Sequence, residues 1–365
     1  MAMFTTSRSL RRTAILLLLL MGVGTIQAQG EDDHRPLPPA YGPYTHPSAS
    51  AFQGGRSFTA SDRIVATYYF YWYDEGSKEH VEYADGGDML TTHPKSLDDF
   101  SYKSVTWHKQ QLRDMIAAGI DVLLPVFWGA PSEQDPQALL HWSYAGIAPL
   151  VQAREELLGE GLNPPSIGLF YDTSTLQHNE WRYHADMTTD YGREWFYATV
   201  RDFFSMIPPK HWAMIDGQPI VLLYAAAFAK NYDQSVIDYT KQQFAQDFSG
   251  RVPYIVPEVS WNVEADGKVA WGGALGLKQP GVSSLGPGYD HSAVRGRSPL
   301  VVDRRGGEFY EEQWQEFLQH PSNMVVIETW NEFHEGTDIA DSREYGRQYL
   351  ELTRKYVDQF KQETP

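Results

Sequence analysis

The chain has 365 residues, no cysteine and a formal net charge of −17. Without a thiol, neither a disulfide framework nor a lipid-modified cysteine is possible, and such acidity disfavours nucleic acid and anionic membranes as partners. Aromatic residues make up 14% of the chain, including 11 Trp and 22 Tyr; beyond filling a core, such rings suit a cleft that stacks flat sugar faces.

Residues 1–28 read as a secretory signal. Arg8, Arg11 and Arg12 form a basic start, Ala14 to Gly24 an apolar stretch, and Ile26-Gln27-Ala28 a small-residue cleavage end. The apolar run is shorter than the roughly 20 residues of a bilayer span. Its Arg-Arg pair is a partial match to twin-arginine export signals. Localisation is therefore expected outside the cytoplasm, secreted or periplasmic, with no membrane attachment after cleavage. Setting the three arginines aside takes the charge from −17 to −20. Residues 29–60, rich in Pro, Gly, Ser and His, read as an N-terminal tail or wrap, and 61–365 as one domain.

Apolar runs then alternate with amphipathic stretches. Strands are predicted over 63–71, 120–128, 166–172, 219–224 and 253–259, with weaker sixth and seventh strands over 269–275 and 282–287, and an eighth over 324–330. Helices are predicted over 105–118, closed by Gly119, and over 136–158, 191–206, 234–248, 309–320 and 342–360. The strands are continuous apolar runs, as in a parallel sheet buried on both faces. Eight of them with interleaved helices predict an α/β fold, a (β/α)8 TIM barrel. A doubly wound open sheet is the alternative, but no glycine-rich phosphate fingerprint follows the first strand.

Barrel sites lie at the C-terminal ends of strands. Those ends carry Tyr71, Tyr73, Trp128, Asp172, Tyr224, Glu258, Tyr289 and Asp290. The last strand ends in "VVIETWNEFHEG" (325–336), with Glu332 and Glu335 three residues apart. Paired carboxylates are the equipment of glycoside hydrolysis, one protonated and one ionised. In an extended strand residues three apart face opposite sides. The two can share a pocket only if the chain turns after Trp330; otherwise they belong to a solvated acidic loop.

The segment "ETWNEFHEGTDI" resembles the C-terminal signature of glycoside hydrolase family 99, the endo-α-mannosidases and endo-α-mannanases. Similar in the same order are "YYFYWYD" (68–74), "WHKQQLRDMIAAGIDVLLPVFWG" (107–129), "LGPGYDHSAVRGR" (285–297) and "FYEEQWQEFL" (309–318). The resemblance spans about 63–350. It implies Glu335 as general acid/base and Glu332 as the carboxylate that deprotonates the sugar 2-hydroxyl, giving an anhydro-sugar intermediate and net retention. It also implies Tyr71 or Tyr73 near the reacting sugar, and Trp128, Tyr289 and Asp290 along the subsites. Phe333 stands where the family has Trp, 338–341 reads Asp-Ile-Ala-Asp, and the first strand continues Trp72-Tyr73-Asp74-Glu75; these departures mark a divergent relative.

Asp172 and Glu258 could hold sugar hydroxyls or cap the following turn; spacing alone leaves both open. His80, His93 and His108 lack the convergence of a metal site, and His108 is expected at the surface or in a cap. Asp85-Gly86-Gly87-Asp88 reads as a glycine-rich turn, not a calcium loop. No Gly-x-Ser-x-Gly nucleophile elbow is present. No cofactor and no metal is implied. The expectation is a secreted, endo-acting, retaining glycoside hydrolase whose partner is a polysaccharide or glycan, α-mannan-like by resemblance. The alternative is a non-catalytic carbohydrate-binding protein on the same scaffold.

Overall fold

A computed structural model describes residues 35–362; the signal-peptide expectation, 1–28, lies outside the described residues. Seven parallel strands form the centre: β1 (Ile64–Tyr69), β2 (Val122–Phe127), β3 (Leu169–Tyr171), β4 (Gln218–Leu223), β5 (Tyr254–Pro257), β6 (Ser283–Leu285) and β7 (Met324–Ile327). Hydrogen-bonded neighbours run β5-β4-β3-β2-β1-β7-β6. The first and last strands therefore lie side by side, in the register Val65 opposite Val325, as barrel closure requires.

The remaining place, between β5 and β6, is filled by residues 266–271. Val269 N–H donates to Pro257 O, and Asp266 N–H to Ile255 O. On the other side Val282 N–H donates to Lys268 O, and Ser284 Oγ to Ala270 O. The sixth strand expected over 269–275 is thus reduced to a bridge. Gly272, at φ 97°, leaves the extended region, and Gly273–Leu275 form a 3₁₀ turn.

Helices α1 (Val105–Ala118), α2 (Ile147–Gly159), α3 (Asp190–Met206), α4 (Ser235–Asp247), α5 (Glu308–Gln319) and α6 (Gln348–Gln362) surround the strands, with α1 packed between α2 and α6. The ends of α1 follow local chemistry. Ser104 Oγ accepts from Trp107 N–H at 3.2 Å, and Gly119 ends the helix in the left-handed region at φ 81°. The helix expected from 136 begins later, with a short turn at Trp142–Ala145 and then α2. Gly146 separates the two, and a side chain there would strike the ring of Tyr71 at 2.5 Å. The closing helix starts at Gln348, because 342–347 fold into a turn bridged between Ser342 and Gly346.

Residues 35–60 lie along α3 and α4. Tyr44 N–H donates to Ser205 O and His46 N–H to Asp247 O. Ser57–Phe58 pair with Met214–Ile215, which fold back onto β4. Among the described residues no helix is long and apolar enough to cross a membrane.

His108 corrects a sequence expectation. It is fully buried, its Nδ1 2.8 Å from Tyr69 Oη and its Nε2 2.9 Å from Tyr102 O. It lies on the α1 face that buries Leu112 and Met115, so helical phase decides its place. Burial pulls its pKa down to about 4, keeping the ring neutral. His93 instead bridges Asp88 and Glu344 near the surface.

Candidate active site

The last strand stops at Ile327, and residues 328–340 fold into a compact loop at its C-terminal end. Trp330 N–H still reaches Tyr68 O at 2.9 Å. Asn331 then replaces a strand partner with its side chain: Oδ1 accepts from Phe70 N–H at 2.8 Å, and Nδ2 donates to Phe70 O at 2.7 Å. Thr329 Oγ1 accepts from Glu332 N–H, and Thr337 N–H closes onto Glu332 O. Tyr73 braces the turn from below, donating to Asn331 O and accepting from Phe333 N–H, each at 3.0 Å. Gly336 reverses the chain at φ 52°, where an added Cβ would meet Asp290 O at 3.1 Å. Glu332 and Glu335 are thereby brought off the strand and onto one side.

Both carboxylates are buried, Glu332 at 3% exposure and Glu335 at 5%. Glu332 Oε1 accepts from the backbone N–H of His334 at 2.9 Å and lies 2.9 Å from His334 Nδ1. The far side of that ring, Nε2, is 2.9 Å from His80 O. Glu335 Oε1 accepts from Arg297 Nη1 at 3.0 Å. Burial first, then the Glu332 charge, push the Glu335 carboxyl up to about 7, against the pull of Arg297 and Tyr289. The turn therefore holds a carboxyl poised to carry a proton near neutrality beside a second acidic side chain that has its own hydrogen-bond partner.

The other sequence candidates divide. Tyr289 borders Glu335, and its hydroxyl also contacts His291 Nδ1 at 2.9 Å. Tyr224 stands among rings of Phe170, Phe228 and Trp271 and feels Asp172, Glu335, Glu328 and Glu258. Trp128 packs on Trp72 at 4.3 Å, and Trp72 in turn meets the His334 ring edge-on at 5.1 Å. Asp172 is buried, which pushes its pKa up; its Oδ1 caps Ser174 N–H, and Trp128 faces its carboxylate. Tyr73 lies beneath the turn rather than open to it.

Tyr71 is directed away. Its hydroxyl donates to Ser143 O at 2.8 Å and its ring packs on Trp142 in the helical layer. Side chains alternate along the extended chain, so Tyr69 and Tyr71 face outward and Tyr68 and Phe70 inward. Asp290 contributes its backbone N–H to Glu335 O, but its carboxylate turns back to Ser292. Glu258 Oε2 likewise accepts from Ser260 N–H in its own loop.

Two residues in contact with the pair, Arg297 and His334, carried no assignment in the sequence, nor did Glu328 at the start of the same loop. Arg297 falls within the "PGYDHSAVRGR" segment, and His334 sits between the two glutamates. Glu328 is 2% exposed; Oε2 accepts from Gly272 N–H at 2.9 Å, and Oε1 has no partner. Burial pushes this carboxyl up to about 8. Among the described residues no cluster of three or more His, Asp or Glu is arranged to hold a metal ion.

Residues 50–364 match the family described as a domain of unknown function (DUF5010). A stretch of 97 residues, 22% of this chain, is 32% identical to the glycoprotein endo-alpha-1,2-mannosidase of Mus musculus and covers 21% of it. The corresponding figures for an endo-alpha-1,2-mannosidase-like protein of Danio rerio are 32% identity and 22% of each chain. The match thus spans about a fifth of the length of these relatives. In three dimensions the chain is similar to the GH99 endo-alpha-mannosidase of Bacteroides thetaiotaomicron, with a TM-score of 0.59, 15% identity and coverage of 83% of this chain and 99% of that one. A "glycoside hydrolase-like protein" gives 0.59, 16%, 87% and 99%. The fold is thus that of a divergent family-99-like α/β barrel, as the sequence resemblance implied.

Proposed function

The chain belongs to the DUF5010 family, and from that premise we propose that it is a secreted glycoside hydrolase, endo-acting and retaining, that cuts a glycosidic bond in a polysaccharide or glycan. The observation that carries this reading is the pair Glu332 and Glu335, buried together on one braced turn at the carboxyl end of the barrel, with Glu335 near neutral in its proton affinity. An α-mannan-like substrate is favoured by the mannosidase names of the relatives.

In this reading Glu335 gives its proton to the glycosidic oxygen as the bond to the anomeric carbon breaks. Glu332 takes the proton of the sugar 2-hydroxyl, whose oxygen closes onto that carbon. Water then opens the anhydro ring from the other side, giving its proton to Glu335, and Glu332 returns a proton to O2. Two inversions leave the configuration retained. Tyr289 and Arg297 orient Glu335, while Tyr224, Trp128 and Trp72 supply rings for the sugar faces.

The test is reducing-end release from a panel of α-mannans and other microbial, plant and algal polysaccharides by the native protein and by Glu335→Gln. Release that falls by about 10²–10⁴-fold in the variant is expected for loss of a general acid. Equal release by both proteins would overturn the role of Glu335. Binding without release would favour a carbohydrate-binding protein on the same scaffold.

A further inference from the structure

His334 lies between the two glutamates in sequence, and both of its ring nitrogens face acceptors. Nε2 is 2.9 Å from His80 O, a carbonyl that can only accept. Nδ1 is 2.9 Å from Glu332 Oε1, which also accepts the His334 backbone N–H at 2.9 Å. An N–H on each ring nitrogen satisfies both ring contacts and makes the pair with Glu332 a charge-assisted one. The ring and backbone contacts of His334 to Glu332 both fall on Oε1, which leaves Oε2 the oxygen not held by His334.

Resting on the reading of Glu332 as the carboxylate that works on the sugar, we infer that His334 is a positioning residue. It carries a proton on both ring nitrogens and holds Glu332 by Oε1, so that Oε2 alone is presented to the substrate. Each carboxylate of the pair then has its own cation, His334 for Glu332 and Arg297 for Glu335. The division has a chemical consequence. Arg297 is a permanent charge, whereas the His334 charge is built from a removable proton.

The surroundings support a ring held in one orientation. Tyr73 lies 5.4 Å from it, and Trp72 meets it edge-on at 5.1 Å. The His80 ring, 6.4 Å away, stacks on Trp72. Burial first, then His334, pull the His80 pKa down to about 3, so His80 is neutral and does not compete for Glu332. Other titratable groups that feel the Glu332 charge are Tyr73, Glu335 and Tyr289. Among all of these, His334 is the cation in contact with the Glu332 carboxylate.

The experiment has two arms. Ring ¹⁵N spectra of the full chain labelled in histidine, with the His334→Asn spectrum assigning the signals, are expected to show both nitrogens of His334 protonated at the working pH. A bare Nδ1 would overturn the inference. In the second arm His334→Leu is expected to lose about 10²-fold in kcat with KM changed little, the scale of a misplaced reacting group. His334→Asn, whose amide can occupy the Nδ1 position, should recover most of the loss. A His334→Leu protein with native melting behaviour and native turnover would sink the positioning role. If the native protein releases nothing from any substrate, the functional reading fails, while the ring spectra still decide the protonation of His334.

Discussion

Glu328 offers a direct test of how burial shapes this barrel. Its carboxyl has one oxygen on Gly272 N–H and the other unpartnered, and its pKa is pushed from 4.5 up to about 8 by burial. The folded state therefore binds a proton between pH 4.5 and 8 that the unfolded chain releases. The contribution of this one group to stability therefore falls as pH rises through that window, by up to about 1.4 kcal/mol per pH unit, and levels off above it. Between pH 5 and pH 8 the loss amounts to about 3–4 kcal/mol, a sizeable share of the 5–15 kcal/mol that a typical domain has. Glu328→Gln keeps the shape and an acceptor for Gly272 but cannot ionise. Urea denaturation at pH 5, 6.5 and 8 should find the two proteins within about 1 kcal/mol at pH 5 and the variant ahead by about 3 kcal/mol at pH 8. A difference between them that stays constant with pH would refute the argument that Glu328 is held neutral by burial.

Other consequences follow from the same loop. If Glu335 delivers a proton, kcat/KM should decline as pH rises through about 7, since its acid form is lost there; a profile flat from pH 6 to 9 on any substrate the protein cleaves would contradict that role. Gly336→Ala places a Cβ 3.1 Å from Asp290 O at φ 52° and should cost about 1 kcal/mol or more in thermal unfolding, with a larger loss in turnover because Glu335 is displaced. Asn331→Asp exchanges the Nδ2 donor for an oxygen against Phe70 O; chemical denaturation at neutral pH should show a loss of about 1–3 kcal/mol, and a variant as stable as the native chain would mean that this pair does not hold the turn.

The order of elements was legible in the chain because period and length are local properties. Continuous apolar runs such as "VLLPVF", short and interrupted by proline, read as strands buried on both faces, and a Ser104 start with a Gly119 stop marks a helix without reference to anything distant. The position of the carboxylate pair at the end of the last strand was legible for the same reason. What the linear pattern could not decide was facing. Tyr71 and Tyr73 are equivalent in the sequence, yet one points at Ser143 in the helical layer and the other braces the Glu332 turn. The difference comes from which elements close over each side of the chain. His108 reads from the sequence as a surface or capping residue, whereas the packing of α1 against Tyr69 and Tyr102 encloses it. The sixth strand lost its ladder to Gly272, whose φ no periodicity reveals. Most of the site chemistry is likewise non-local. Arg297 reaches Glu335 across 38 positions and Asn331 grips Phe70 across 261. Burial, the main cause of the raised Glu335 and Glu328 values, exists only once the barrel has closed around them. Side-chain type is written in the sequence, but proton affinity depends on the water that the tertiary structure removes.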